Sequence, residues 1–394
     1  MNLFASSSLI LTPTAYKANK LYSIVPTNGN GDLTFTRATS ATRINSGGLV
    51  ETVASGVPRL DYSKTPPAWL FEPLKSNLVL YSNDFSQANW NKTNCTITSN
   101  FAISPDGTQN AAKLTATGSD PILQQSTTTV GFLSNFYTLS VYAKGVGSTI
   151  GKTCKFFLIG DGYTGAVSSN FTLTSEWERF TATLNLAVIP TGSAFFRVDL
   201  PDVAVVGDEV LLYGFQAEFN VFATSYIPTT TSFVTRNREV CATSDIYTKG
   251  LITSAGGTWF IDQSSEITGN YGLEYSIFSL PYFGVNVIYL FISTNNYFYI
   301  RKQDNSSLII DQLIPNSNVQ RVKIVIRWNI ATSTLDVFFN GILTNTFPSQ
   351  TFANYGKLAI TDENGGGTSL PHRVNSCMLF PTPLSDSECI ALTT

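Results

Sequence analysis

Histidine is nearly missing from this chain: His372 is the single one among 394 residues. A histidine-based metal centre is thereby excluded, and a nucleophilic triad would have one possible base. No G-x-S-x-G nucleophile elbow accompanies it. Set between Pro371 and Arg373 beside a glycine-rich stretch, His372 reads as a surface residue. Charge is scarce as well. Asp, Glu, Lys and Arg make up 13% of the chain, about half the usual share. The net charge is −3, with no block of one sign, so nucleic acid is not an expected partner. No run of about 18 apolar residues occurs, which leaves no helical membrane span. The five cysteines, Cys95, Cys154, Cys241, Cys377 and Cys389, are odd in number and include no C-x-x-C pair. Neither a disulfide framework nor a zinc site is expected; they read as buried free thiols of a protein folded in a reducing cytoplasm. The opening residues lack a basic stretch, and Leu9, Ile10 and Leu11 make too short an apolar run for a signal peptide. They are expected to belong to the mature protein.

What is present is β material. An apolar fraction of 43% with 12% aromatics supports large cores and excludes disorder. The length suggests two or three domains. Residues 1–75 hold strand candidates at 20–25 and 33–37 around the turn Asn28-Gly29-Asn30-Gly31. Prolines and glycines interrupt every run, so this region buries little alone and is expected to lie against a partner or the next domain. Core material begins at the hinge 72–90. Residues 76–235 give strand candidates at 78–81, 111–116, 138–144, 155–159, 169–173, 178–184, 194–199 and 209–218. Turn signals separate them, as in a jelly-roll sandwich. In 138–144 the alternation is plain: Leu139, Val141 and Ala143 share one face. Residues 226–238 read as an ordered linker, and 236–394 as a second sandwich. Asn340-Gly341 between two apolar runs predicts a type I′ hairpin. Ser385 with Glu388 three residues later predicts a capped helical turn. The expected fold class is all-β: an N-terminal extended anchoring segment followed by two tandem β-sandwich (jelly-roll) domains.

Glu176 and Glu178 flank Trp177 and share a strand face, but nothing places a second carboxylate opposite them, as glycoside hydrolysis requires. They read as solvent-facing, with Trp177 in the core. Asp84, Asp199, Asp202 and Asp208 are candidates for a structural calcium, as is the loop Asp362, Glu363, Asn364. No other cofactor is expected. Sugar recognition uses an aromatic platform with polar neighbours; Tyr163, Tyr271, Tyr297 and Tyr299 sit in or beside polar turns and are the ligand-binding candidates. Trp69, Trp90, Trp259 and Trp328 read as core. Arg37, Arg43 and Arg59 lie among Ser and Thr in the thin N-terminal region. They are candidates for docking or oligomerisation, by interchain hydrogen bonds or by pairing with acids of a larger assembly, against the plainer reading of a solvated surface.

The order and spacing of several segments carry a resemblance over about residues 20–238. They are Phe35-Thr36-Arg37-Ala38-Thr39-Ser40-Ala41-Thr42-Arg43-Ile44-Asn45, Gly48-Leu49-Val50-Glu51, Val57-Pro58-Arg59-Leu60-Asp61-Tyr62, Leu70-Phe71-Glu72-Pro73 and 76–85 with Trp90. Gln216-Ala217-Glu218, Ala223-Thr224-Ser225-Tyr226-Ile227-Pro228-Thr229-Thr230 and Val234-Thr235-Arg236 follow. Together these resemble virion proteins of tailed bacteriophages, of the head spike, head fibre or tail fibre type, with a domain like jelly-roll carbohydrate-binding modules. The last third, through 322–328, 335–341 and 384–388, is similar to concanavalin A or laminin G sandwiches. The resemblance implies a virion structural protein whose N-terminal 75 residues dock it to other virion proteins or sister chains, assembled as a homotrimer. The distal sandwich would contact host-surface glycans. A polysaccharide depolymerase and a purely architectural decoration protein are the rival readings.

Overall fold

Alternation builds the chain's strands, and the buried set of each strand says which side faces a core. In Phe136–Val146, Tyr137, Leu139, Val141 and Ala143 are fully buried. In Glu178–Asn185, Phe180, Ala182 and Leu184 point inward while Glu178, Thr181 and Asn185 are exposed. The structure, a computed structural model, describes residues 3–127, 136–160, 166–186, 194–201, 203–265, 275–282, 286–292, 297–314, 321–361 and 370–394. It is all-β in character: among the described residues the α-helices are Leu3–Ser6 and Asp386–Thr393. Two units emerge. The first comprises Met1–Ser40, Val53–Leu74 and Asn237–Thr394; the second comprises Ala41–Thr52 and Lys75–Arg236.

The second unit is a sandwich of two five-stranded antiparallel sheets. One runs in the order Asn91–Thr93, Ile122–Thr127, Ala194–Asp199, Thr153–Gly160, Ala166–Thr172; the other runs Cys95–Ala102, Ala111–Ala116, Glu209–Phe219, Phe136–Val146, Glu178–Asn185. One apolar cluster fills the space between them, with Phe156, Leu158, Phe196 and Val198 from the first sheet and Leu139, Val141, Leu212 and Phe215 from the second. Burying each such side chain contributes roughly 1.5–3 kcal/mol. The turn 82–90 closes one side of this core. Its Trp90 lies edge-on to Phe85 and Phe215 at centroid distances of 5.2 Å.

In the first unit an eight-stranded and a nine-stranded antiparallel sheet contribute rings to one interior. Trp259 of Gly256–Ser265 meets Phe278 of Tyr275–Tyr282 at 6.0 Å, and Trp328 meets Tyr355 at 5.9 Å. The expected hairpin forms between Thr334–Phe339 and Ile342–Phe347, with positive φ at Asn340 (44°) and Gly341 (78°) as a type I′ turn demands. The terminal helix is capped by Ser385, which accepts from the Glu388 backbone while Glu388 reaches back.

The structure differs from the expected division into 1–75, 76–235 and 236–394. Leu9–Leu11 pairs with the strand His372–Phe380, placing Leu9 opposite Leu379. Ala68–Phe71 pairs with the opposite end of the same strand, and Leu33–Thr36 pairs with Val240–Ser244. Residues 1–40 and 53–74 therefore complete the sheets of the first unit. The physical reason is simple. A run of three or four residues cannot sustain a core of its own, but it can extend a sheet that a distant segment already backs.

Candidate functional site

Arg37 and Arg59, expected at a docking surface, are instead buried in the first unit. Both side chains are fully enclosed and share Glu239. Arg37 Nη1 lies 2.7 Å from Glu239 Oε1; Arg59 Nε lies 2.8 Å from the same oxygen and its Nη2 2.5 Å from Oε2. Arg59 Nη1 also reaches Glu72 Oε2 at 2.7 Å, and the Glu72 amide donates to Glu239 Oε2 at 2.8 Å. Arg37 donates further to the carbonyls of Thr39 and Ala54. Burial alone would lower the Arg59 pKa, but Glu239 and Glu72 outweigh it and raise the value. Two guanidinium groups and two carboxylates thus neutralise one another inside the fold. Arg43 belongs to the second unit, on the hairpin strand Ala41–Ile44, and pairs with Glu51 at 2.9 Å.

The calcium candidates lie apart. Asp84 folds onto its own turn, accepting from Ser86 Oγ at 2.5 Å and Gln87 Nε2 at 2.7 Å. Burial pushes its carboxyl up, but these hydrogen bonds outweigh it and hold the pKa below the usual range. Asp199 takes the fork of Arg197 at 2.5 and 2.7 Å. Asp208 holds Lys152, Ser148 and the Val205 amide, which likewise outweigh its burial and lower its pKa. Among the described residues no three His, Cys, Asp or Glu side chains gather as a metal site. Asp202 and the loop Asp362, Glu363, Asn364 lie outside the described residues, as do Tyr163 and Tyr271. Tyr297 and Tyr299 are half-buried in the first unit, Tyr299 on the strand Phe298–Asp304.

His372 corrects its surface reading. It opens the strand His372–Phe380, is 2% exposed, and sets Nδ1 3.0 Å from the Leu370 carbonyl and Nε2 2.9 Å from that of Ile360. Phe71 and Phe278 flank its ring. All five cysteines are buried and free; burial pushes Cys95 up to about 11 and Cys377 to about 12, the range of inert thiols. Trp69, Trp90, Trp259 and Trp328 are core residues. Trp177 is half-buried, its Nε1 donating to the Ile103 carbonyl at 3.0 Å. Glu176 and Glu178 are exposed.

An open groove of about 540 Å³ lies on the second unit, lined by Asn89, Asn91, Lys92, Gln124, Ser126 and Phe195, with Ala88 and Trp90 completing it. Strand alternation creates it. Leu123 and Gln125 point into the core, so Gln124 and Ser126 point out; Phe196 is fully buried, so Phe195 faces the groove. Register places Gln124 opposite Asn91 on one side and Arg197 on the other, and Ser126 opposite Phe195. The two glutamines have divided fates. Gln125 is bonded at both ends to the Leu80 backbone, accepting at 2.5 Å and donating at 2.9 Å. Gln124, with Asn89, Asn91 and Ser126, makes no side-chain hydrogen bond among the described residues.

Lys92 is the reverse case: its Nζ donates to the carbonyls of Ser86, Gln87 and Trp90 at 2.9–3.0 Å, locking the turn above the groove. Burial pulls its pKa below the ordinary lysine value. Beyond Gln124, the Arg197 guanidinium lies 4.8 Å from the Phe157 ring centre while Asp199 holds its fork.

Sequence reasoning missed this lining. The polar Gln125 at an inward position hid the strand Ile122–Thr127 from an apolar-alternation search. The signal that could have found it is the pair Phe195-Phe196: within one strand, two adjacent rings cannot both face the core.

No protein-family model matches this chain, and no curated protein sequence does. Among solved structures, the CBM40 module of the Ruminococcus gnavus IT-sialidase aligns over 36% of this chain and 83% of its own, at 16% identity and a TM-score of 0.30. The CBM22-1 xylan-binding domain of Paenibacillus barcinonensis Xyn10C aligns over 37% of this chain and 95% of its own, at 16% identity and 0.28. The enzymatically active domain of Bacteriophage CBA120 tailspike protein 4 aligns over 36% of this chain and 21% of its own, at 14% identity and 0.28. Alignments this loose do not bear on the function of the chain.

Proposed function

We propose that this chain is a structural protein of a tailed-phage virion, a head or tail fibre or spike, and that its second unit attaches to host-surface glycans. The virion assignment rests on the ordered motifs between residues 35 and 236. The observation that carries the glycan reading is the groove: uncommitted amides and a hydroxyl from Asn89, Asn91, Gln124 and Ser126 beside the Phe195 ring. Its volume lies within the usual range of ligand sites. A pyranose offers vicinal hydroxyls to amides and a C–H face to a ring, which is the complement of that lining. This moves the proposed contact from the distal sandwich to the middle one.

The reading is of a binding protein and not a depolymerase, assembled as a homotrimer within the particle. Docking through 1–75 needs a different test from simple truncation, because Leu9–Leu11, Leu33–Thr36 and Ala68–Phe71 belong to the sheets of the first unit. Gold-labelled antibody against the chain should decorate heads or tails in electron micrographs; bare particles would sink the virion assignment. Purified protein should bind host-surface polysaccharide and leave it uncut. New reducing or unsaturated ends would restore the depolymerase reading.

A further inference from the structure

Resting on the glycan reading of the groove, we infer that its ligand is an uncharged glycan and that the site discriminates against sialylated and uronic-acid sugars. The argument is about which groups remain available. An anionic sugar gains affinity from a cation free to form a charge-assisted hydrogen bond. Among the described residues two cations, Lys92 and Arg197, stand at or beside this groove, and both are occupied. The three Lys92 ammonium donors are taken by the carbonyls of Ser86, Gln87 and Trp90. Turning Lys92 toward a ligand would leave those carbonyls unpartnered and release the 84–90 turn that carries Trp90 into the core. Arg197 is held by both oxygens of Asp199, and its face lies on Phe157.

What remains are neutral groups. Each amide of Asn89, Asn91 and Gln124 offers two donors and an acceptor, and Ser126 offers one donor and an acceptor. Hydroxyl groups, which both donate and accept, can use the donors and the acceptors alike. A carboxylate can use only the donors and must shed its hydration to do so, without a compensating free charge. No carboxylate lines the groove among the described residues either, so a neutral sugar meets no acid there.

The test is a binding panel on the full chain by ligand-observed NMR and calorimetry. It pairs neutral gluco-, galacto-, manno- and N-acetylglucosamine oligomers with their sialylated or uronate counterparts, at about 50 and 500 mM salt. Neutral oligomers should bind, with a Kd unchanged within about twofold by salt, since no charge pair is there to be screened. Gln124→Ala should weaken binding about tenfold, the equivalent of one good hydrogen bond. Asn91→Ala, at an exposed edge position, provides the second variant, and circular dichroism checks that both fold.

Tighter binding of the acidic counterparts, with affinity falling as salt rises, would overturn the charge inference and leave the glycan reading standing. Binding of neither class, or binding only of extended peptides along the edge strand Asn91–Thr93, would overturn both.

Discussion

The knot of the first unit and the groove rim of the second commit their charges in different ways. The first encloses Arg37, Arg59, Glu72 and Glu239, every member paired and away from solvent. The second unit also buries charge, Glu218 and Arg236 among it, but around its groove and loops charged groups work at the rim: Lys92 and Asp84 fix a turn, Arg197 and Asp199 fix each other, and Lys152 and Asp208 fix a loop. A closed ionic knot and an open groove whose charges are all committed are both ways of removing free charge, but one specifies a fold and the other shapes a surface. The knot is not itself evidence of great stability, because enclosing four ions carries a large desolvation cost. Its consequence is that no single member can be lost cheaply.

The sharpest way to break the contrast is Glu239→Ala. It strips two enclosed guanidinium groups of their shared carboxylate and should destabilise the first unit by about 3–5 kcal/mol, read as a shifted denaturation midpoint, while the groove's ligand affinity is untouched. A loss under about 1 kcal/mol would mean that water enters the knot and that its enclosure matters little.

Within the second unit, neighbouring rings supply the next comparison. Phe196→Ala empties a fully buried position and should cost about 3–5 kcal/mol, near the lower end if the core collapses around it. Phe195→Ala, one residue away on the outer face, should change stability by less than about 0.5 kcal/mol and weaken glycan binding instead. If both variants unfolded the protein alike, Phe195 would be a core residue and the groove would lose its platform.

These contrasts mark what could be read from the sequence. The Asn340-Gly341 hairpin and the Ser385 cap were legible because each depends on residues one to three positions apart. The alternation of Leu139, Val141 and Ala143 was legible for the same reason. The knot was half visible: Arg37 and Arg59 stand in recognisable motifs, but their partner Glu239 is 202 and 180 positions away, and nothing local announces it. His372 misled because its neighbours Pro371 and Arg373 describe a loop, whereas Phe71 and Phe278, from remote strands, decide its burial. The thinness of residues 1–75 was legible in its short, interrupted runs; which sheets those strands join is a long-range fact. The groove was hidden because Gln125, an amide in a core, broke the pattern that would have revealed its neighbour Gln124.

A smaller effect separates the rim charges from the knot. Asp208 has a lowered pKa through Lys152, the Val205 amide and Ser148. Its folded value lies below its unfolded one, so the unfolded chain binds more protons between the two. The stabilisation it supplies is complete above the ordinary aspartate pKa of about 3.9 and fades as pH falls through the folded value. Asp84 follows the same sign. The second unit should therefore lose denaturant resistance as pH drops below about 4. Asp208→Asn should flatten that part of the profile, because the amide no longer titrates. A profile of Asp208→Asn superimposable on the parent's would show that Lys152 and Asp208 contribute nothing to stability at the rim, and the rim's side of the comparison would rest on Lys92 with Asp84 and on Arg197 with Asp199.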